Sequence, residues 1–121
     1  HVSAYDMALI AQAAYDNDTL VEISSATTHK IAPTTQNPDG FTIRGEHRLC
    51  VTEDSTSPYY YPEAIAGKTG YLIKAGNTLV TAVERDGVRL IAVVMKAKGT
   101  HYTDTRAMLD YGFALHDAGK I

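Results

Sequence analysis

Lys68, Thr69 and Gly70 follow one another between Gly67 and Tyr71, at the head of an apolar run that reads as a strand. An ammonium, a hydroxyl and a bare stretch of backbone at successive positions can do specific chemistry. In a confined site the Lys68 charge favours an anionic ligand group and a deprotonated neighbour. The Thr69 hydroxyl can donate to a carboxylate. Gly70 has no side chain, so another backbone can lie against the strand edge there and add to it as a further strand. A tripeptide recurs by chance, and a lysine at a strand edge is ordinarily a solvated charge. The flanking glycines and the strand that follows are what lift this one.

The other chemically able residues read as structural. Cys50 is the only cysteine, which excludes an internal disulfide and a thiolate metal site, and its place in Leu49-Cys50-Val51 predicts a buried, inert thiol. The five histidines, His1, His29, His47, His101 and His116, lack metal-ligand spacing and default to surface or capping roles. Tyr59, Tyr60 and Tyr61 lie upstream of Lys68 and either line a cleft or, as the plainer reading, pack a long loop. Asp6 reads as part of a helix cap, and Glu84-Arg85-Asp86 as a solvated hairpin end.

The elements that must position Lys68 can be read from periodicity. Ser3 with Asp6 resembles a capping box, and apolar residues then recur at helical spacing from Ala4 to Tyr15, predicting a helix over about 4–16. Val21, Ile23, Lys30 and Ile31 give a weak strand pattern over 20–31, and Pro33 and Asn37-Pro38-Asp39-Gly40 mark a loop before a short return strand at Phe41-Thr42-Ile43. Residues 52–64 read as a second loop. Strands are expected over 67–73, 77–84 and 88–97, with Asp86-Gly87 as the hairpin turn between the last two. Leu90, Ala92 and Val94 on one face and Ile91, Val93 and Met95 on the other predict a strand covered on both sides. A last helix is expected from Thr103 or Asp104 to His116, with Leu109 and Phe113 inward and Gly112 approaching the sheet.

The chain of 121 residues fits one domain, with 45% hydrophobic and 21% charged residues. A formal net charge of −3 offers no basic surface for nucleic acid. No apolar run approaches the ~20 residues of a membrane span.

Taken in order, His1 to Ile10, Gly67-Lys68-Thr69-Gly70-Tyr71, Lys74 to Val80, Arg85-Asp86-Gly87 with Arg89 to Val94, and Leu109-Asp110-Tyr111-Gly112-Phe113 resemble the low-molecular-weight penicillin-binding proteins, the serine D-alanyl-D-alanine carboxypeptidases. These pieces span nearly the whole chain. The resemblance implies an α+β fold of the serine β-lactamase type, an antiparallel sheet with helices packed on its faces and the Lys-Thr-Gly strand on the edge that lines the catalytic cleft. It implies a cell-envelope hydrolase outside the bacterial cytoplasm, with no cofactor, acting on peptidoglycan stem peptides that end in D-Ala-D-Ala and binding β-lactam antibiotics. It assigns Lys68 a catalytic and substrate-binding role, Thr69 a contact to the terminal carboxylate, Gly70 the substrate backbone, and the Tyr71 backbone N–H a place in the oxyanion hole.

The same resemblance exposes departures. The Ser-x-x-Lys nucleophile and the Ser-x-Asn motif, which precede this segment in the family, occur nowhere in the 121 residues. The nearest string, Thr27-Thr28-His29-Lys30, lies out of the family's order. Residues 1–121 are therefore expected to be the C-terminal portion of the catalytic domain, inactive alone and completed by an N-terminal half. The alternative is a non-catalytic peptidoglycan- or partner-binding module that keeps the fold. Leu72 stands where the family usually has threonine, and the stretch from Arg44 to Leu49 lacks the asparagines usual there, leaving Arg44 and Arg48 without an assigned role.

Overall fold

The computed structural model describes all of residues 1–121. Helix α1 (Ala4–Tyr15) begins on the capping box read from Ser3 and Asp6. The Asp6 N–H donates to Ser3 Oγ at 3.1 Å and the Ser3 N–H to Asp6 Oδ2 at 2.8 Å, so the two residues satisfy each other's orphaned amides, with an Asp in place of the usual Glu.

The weak strand pattern over 20–31 is corrected in its first part. Residues Asp18–Ser25 form a second helix, α2. Asn17 caps it, its Oδ1 accepting from the amides of Thr19 and Leu20 at 3.0 and 3.2 Å. Over eight residues, Val21 and Ile23 suit either period. The cap and the packing of Val21 against the buried cluster of Ala11, Tyr15, Ala66, Val80 and Ala82 decide for helix. Strand β1 (Thr28–Ile31) then pairs antiparallel with β2 (Phe41–Arg44), the predicted return strand, as a separate two-stranded sheet. A one-turn helix, α3 (Arg48–Val51), occupies the apolar run around Cys50.

Strands β3 (Ala64–Leu72), β4 (Gly76–Arg85) and β5 (Val88–Ala97) form an antiparallel sheet in that order, so β3 is an edge strand. Lys68 lies opposite Val80, Thr69 opposite Leu79 and Gly70 opposite Thr78. The β4–β5 turn has positive φ at both Asp86 (52°) and Gly87 (80°), the type I′ geometry whose twist matches the flanking strands.

Both faces of the sheet are covered, as the two-sided apolar pattern of β5 predicts. On one face Val83 and Ala92 pack with Leu109 and Phe113 of α4 (His101–Asp117) and with Leu49 and Tyr61. On the other, Ala66, Val80 and Ala82 pack with Ala11 and Tyr15 of α1. Burying a Leu or Phe side chain contributes roughly 1.5–3 kcal/mol, so Leu109 and Phe113 dock α4 firmly. Gly112 lets that helix approach: a Cβ there would stand 2.9 Å from Leu90 Cδ1. Arg89 ties β5 to the end of α1, donating to the Tyr15 carbonyl at 2.8 Å and to Glu84 at 3.0–3.1 Å.

Candidate active site

Successive side chains of β3 leave opposite faces of the sheet, so Gly67 and Thr69 share one face and Lys68 takes the other. Gly67 is buried beneath the His47 imidazole. A Cβ on it would lie 2.3 Å from His47 Cδ2. Gly70 is needed for a second reason, since its Cβ would meet Thr78 Oγ1 on β4 at 2.4 Å. The two glycines that flank Lys68-Thr69 in the sequence are therefore both places where a neighbour occupies the side-chain position.

His47 is the buried centre of this region, 4% exposed, and corrects the surface role expected of it. Its Nε2 lies 3.1 Å from the Val80 carbonyl and 2.9 Å from Thr81 Oγ1. The Nε2–H tautomer pairs the carbonyl, and leaves Nδ1 as an enclosed, unpartnered atom. Loss of solvent is the main reason its pKa falls to about 4, with His101 and Lys68 pushing the same way, so the ring is neutral near pH 7.

Tyr102, in the first turn of α4, holds the segment that carries His47. Its hydroxyl donates to the Glu46 carbonyl at 3.2 Å and accepts from the Arg48 amide at 3.1 Å. Its ring stands edge-on to His47 at 5.8 Å and to Tyr59 at 5.4 Å, and the Arg48 guanidinium lies 4.6 Å over the Tyr59 ring. So pinned, the segment brings Glu46 to the triad, where Oε2 accepts from Thr69 Oγ1 at 3.3 Å. A cleft of about 380 Å³ opens beside Thr69, lined by Glu46, Arg48, Tyr59, Gly99, His101 and Tyr102. His101 Nδ1 is enclosed there without a hydrogen-bond partner.

Lys68 is exposed, with its Nζ turned onto the Thr69 carbonyl and engaged in no ion pair. Its charge is thus free for a ligand. Tyr71 and Leu72 are 66% and 71% exposed at the end of β3. The three tyrosines divide. Tyr61 is buried, donating to Asp110 at 2.9 Å, and the Tyr60 carbonyl accepts from Arg106 at 2.6 Å, so both fasten the loop to α4. Only Tyr59 reaches the cleft. Cys50 is half-buried and not fully buried as expected, and loss of solvent pushes its thiol up to about 12, which disfavours the reactive thiolate. Thr27 precedes β1 and Lys30 lies within it, both are exposed with no hydrogen bond between them, and β1 belongs to a sheet separate from that of β3, so this pair is no nucleophile and base. No cluster of three His, Cys, Asp or Glu side chains is arranged to hold a metal ion. A larger recess, about 730 Å³, lies between α1 and the Asp86–Gly87 end of the sheet, lined by Tyr5, Leu9 and Arg89 and remote from the triad.

Glu46, His47, Arg48 and Tyr102 were not legible as site residues. They occupy no motif, and only the register of distant segments brings them to β3.

Comparison with known proteins agrees with this architecture. Residues 1–99 match the family described as D-alanyl-D-alanine carboxypeptidase. The chain is 35% identical to D-alanyl-D-alanine carboxypeptidase DacB2 of Mycobacterium tuberculosis over 98% of its own length and 39% of that protein's. Among solved structures, a Mycobacterium tuberculosis D-alanyl-D-alanine carboxypeptidase aligns with a TM-score of 0.68 at 32% identity, covering 88% of this chain and 38% of that one. A Streptomyces DD-transpeptidase aligns with a TM-score of 0.76 at 26% identity, covering 91% and 41%. The α+β architecture is shared with these proteins, and the chain spans about two-fifths of the length of each.

Proposed function

Because this chain belongs to the D-alanyl-D-alanine carboxypeptidase family, we propose that β3 is the substrate-binding strand of a serine D-Ala-D-Ala carboxypeptidase that trims peptidoglycan stem peptides in the bacterial cell envelope. The peptide adds to the free edge of β3 as a further strand. Lys68 supplies positive charge at the reacting centre, Thr69 donates to the terminal carboxylate, and Gly70 leaves room for the peptide backbone. The Tyr71 N–H faces the developing oxyanion. A serine outside these 121 residues attacks the carbonyl of the penultimate D-Ala. The terminal D-Ala leaves as its amine, taking a proton from the enzyme, and water then hydrolyses the resulting ester. β-Lactams enter the same site and acylate the same serine. These residues form one side of the cleft, and the remainder of the catalytic domain forms the other.

The observation that carries this reading is that the Lys-Thr-Gly triad lies on an edge strand, with Lys68 exposed and in no ion pair on one face and Thr69 lining an open cleft on the other. The test is release of D-Ala from a D-Ala-D-Ala peptide by the full-length protein. Turnover that is lost in the Lys68→Ala variant supports the proposal. Peptide binding without release of D-Ala supports instead a module that retains the fold without catalysis.

A further inference from the structure

The contact between Glu46 and Thr69 has a stoichiometric consequence. A threonine hydroxyl donates one proton, and here it is donated to Glu46 Oε2. An anionic peptide terminus approaching Thr69 must take that same proton, and must do so next to a carboxylate of like charge. The two acceptors compete. At 3.3 Å the existing bond is longer than the usual 2.7–2.8 Å, so a better-placed acceptor can displace it, at a cost.

Glu46 takes part in no ion pair of the chain. The ion pairs of the chain join Arg85, Arg89, Asp117, Asp16 and Glu84, at the other end of the sheet. Of the two arginines that stand two positions from Glu46, Arg44 lies at the end of β2 and Arg48 is engaged over the Tyr59 ring, and neither forms an ion pair with it. Nor can Glu46 readily swing its backbone away, because Tyr102 bonds both the Glu46 carbonyl and the Arg48 amide.

We infer that Glu46 is a specificity-determining residue of the Thr69 subsite, resting on the function proposed above. It weakens recognition of a free terminal carboxylate relative to a neutral terminus, by occupying the Thr69 proton and by charge repulsion. A neutral carboxamide offers a carbonyl to Thr69 and an N–H donor to Glu46, so it satisfies both side chains at once. The effect is discrimination through an unfavourable element built against one ligand.

The test uses the full-length protein with two substrates, a peptide ending in D-Ala-D-Ala and the same peptide with a C-terminal carboxamide. Glu46→Gln is expected to lower KM for the free acid about tenfold, the scale of one charge-assisted hydrogen bond, with kcat nearly unchanged. The carboxamide gains nothing, so the acid-to-amide ratio of kcat/KM rises by a similar factor. Glu46→Asp, which keeps the charge but withdraws it from Thr69, moves the ratio the same way by less. In a Thr69→Val background Glu46→Gln moves the ratio by a smaller factor, because only the charge effect remains. Glu46 is exposed, so these substitutions leave the core intact. A wild type active on the free acid whose ratio does not respond to Glu46→Gln overturns this inference alone. A wild type that turns over neither peptide removes the proposed function and this inference with it.

Discussion

The His47 imidazole occupies the space where Gly67 has no side chain, with 2.3 Å separating His47 Cδ2 from the position of a Cβ on residue 67. A buried ring bonded to β4 thus presses on the residue immediately before Lys68, and the triad's entry is set by a histidine 20 positions earlier. Gly67→Ala is expected to destabilise the fold by about 1–3 kcal/mol, the range for overpacking a tight interior. Thermal or urea unfolding measures it. His47→Ala removes the ring that Gly67→Ala would meet and leaves only the Val80 carbonyl, 2.7 Å from that Cβ, so the double variant is expected to lose less than the sum of the singles. Strict additivity would refute the contact.

The same histidine makes stability depend on pH. Its folded pKa of about 4 lies below the ordinary 6.5, so between these values the unfolded chain binds a proton that the folded chain does not. Stability therefore rises with pH across this window. The contribution is complete above about pH 6.5, is lost progressively as pH falls, and is gone below about pH 4. The total is about 3 kcal/mol. Urea midpoints measured from pH 7.5 to 4 check the slope, and in His47→Gln the part of the slope due to this group is expected to vanish.

On the function proposed above, Lys68→Ala in the full-length protein is expected to cost on the order of 10²–10³ in acylation rate, the scale of one preorganised electrostatic contact. Thr69→Val is expected to act mainly on peptide handling. Steady-state kinetics on a D-Ala-D-Ala peptide distinguish them. If both variants keep wild-type kcat/KM, the triad is a coincidence of sequence.

Leu72→Thr places a hydroxyl at the end of β3, where Leu72 is 71% exposed. The fold should tolerate it, with Tm changing little. Peptide turnover is expected to change more than penicillin acylation. Equal effects on the two would show that position 72 does not face the peptide.

The 121 residues alone are expected not to acylate with penicillin, because they contain no Ser-x-x-Lys. Incubation with a fluorescent penicillin followed by a denaturing gel is the check. A covalent band on this chain would falsify the assignment of the nucleophile to residues outside it.

What could be read in advance was whatever neighbouring residues decide among themselves. The capping box needs only Ser3 and Asp6, the hairpin needs only Asp86-Gly87 between apolar runs, and the two faces of β5 follow from alternation. Lys68-Thr69-Gly70 could be singled out for the same reason, since the three residues are contiguous, and its place on a strand followed from the apolar run after it. The α2 segment shows where local information ends: eight residues with Val21 and Ile23 satisfy a strand or a helix, and the Asn17 cap together with packing beneath β3 settles the matter. The rest of the site lies beyond that reach. Glu46 meets Thr69 across 23 positions, His47 meets Thr81 across 34, and Arg48 meets Tyr102 across 54. No periodicity encodes such meetings. They exist because antiparallel pairing fixes β3 on β4, because Leu109 and Phe113 dock α4 on the sheet, and because the 46–48 segment has its buried ring over Gly67. The sequence by itself determined that Lys68, Thr69 and Gly70 stand together on one strand. The tertiary structure alone decided which carboxylate stands against Thr69.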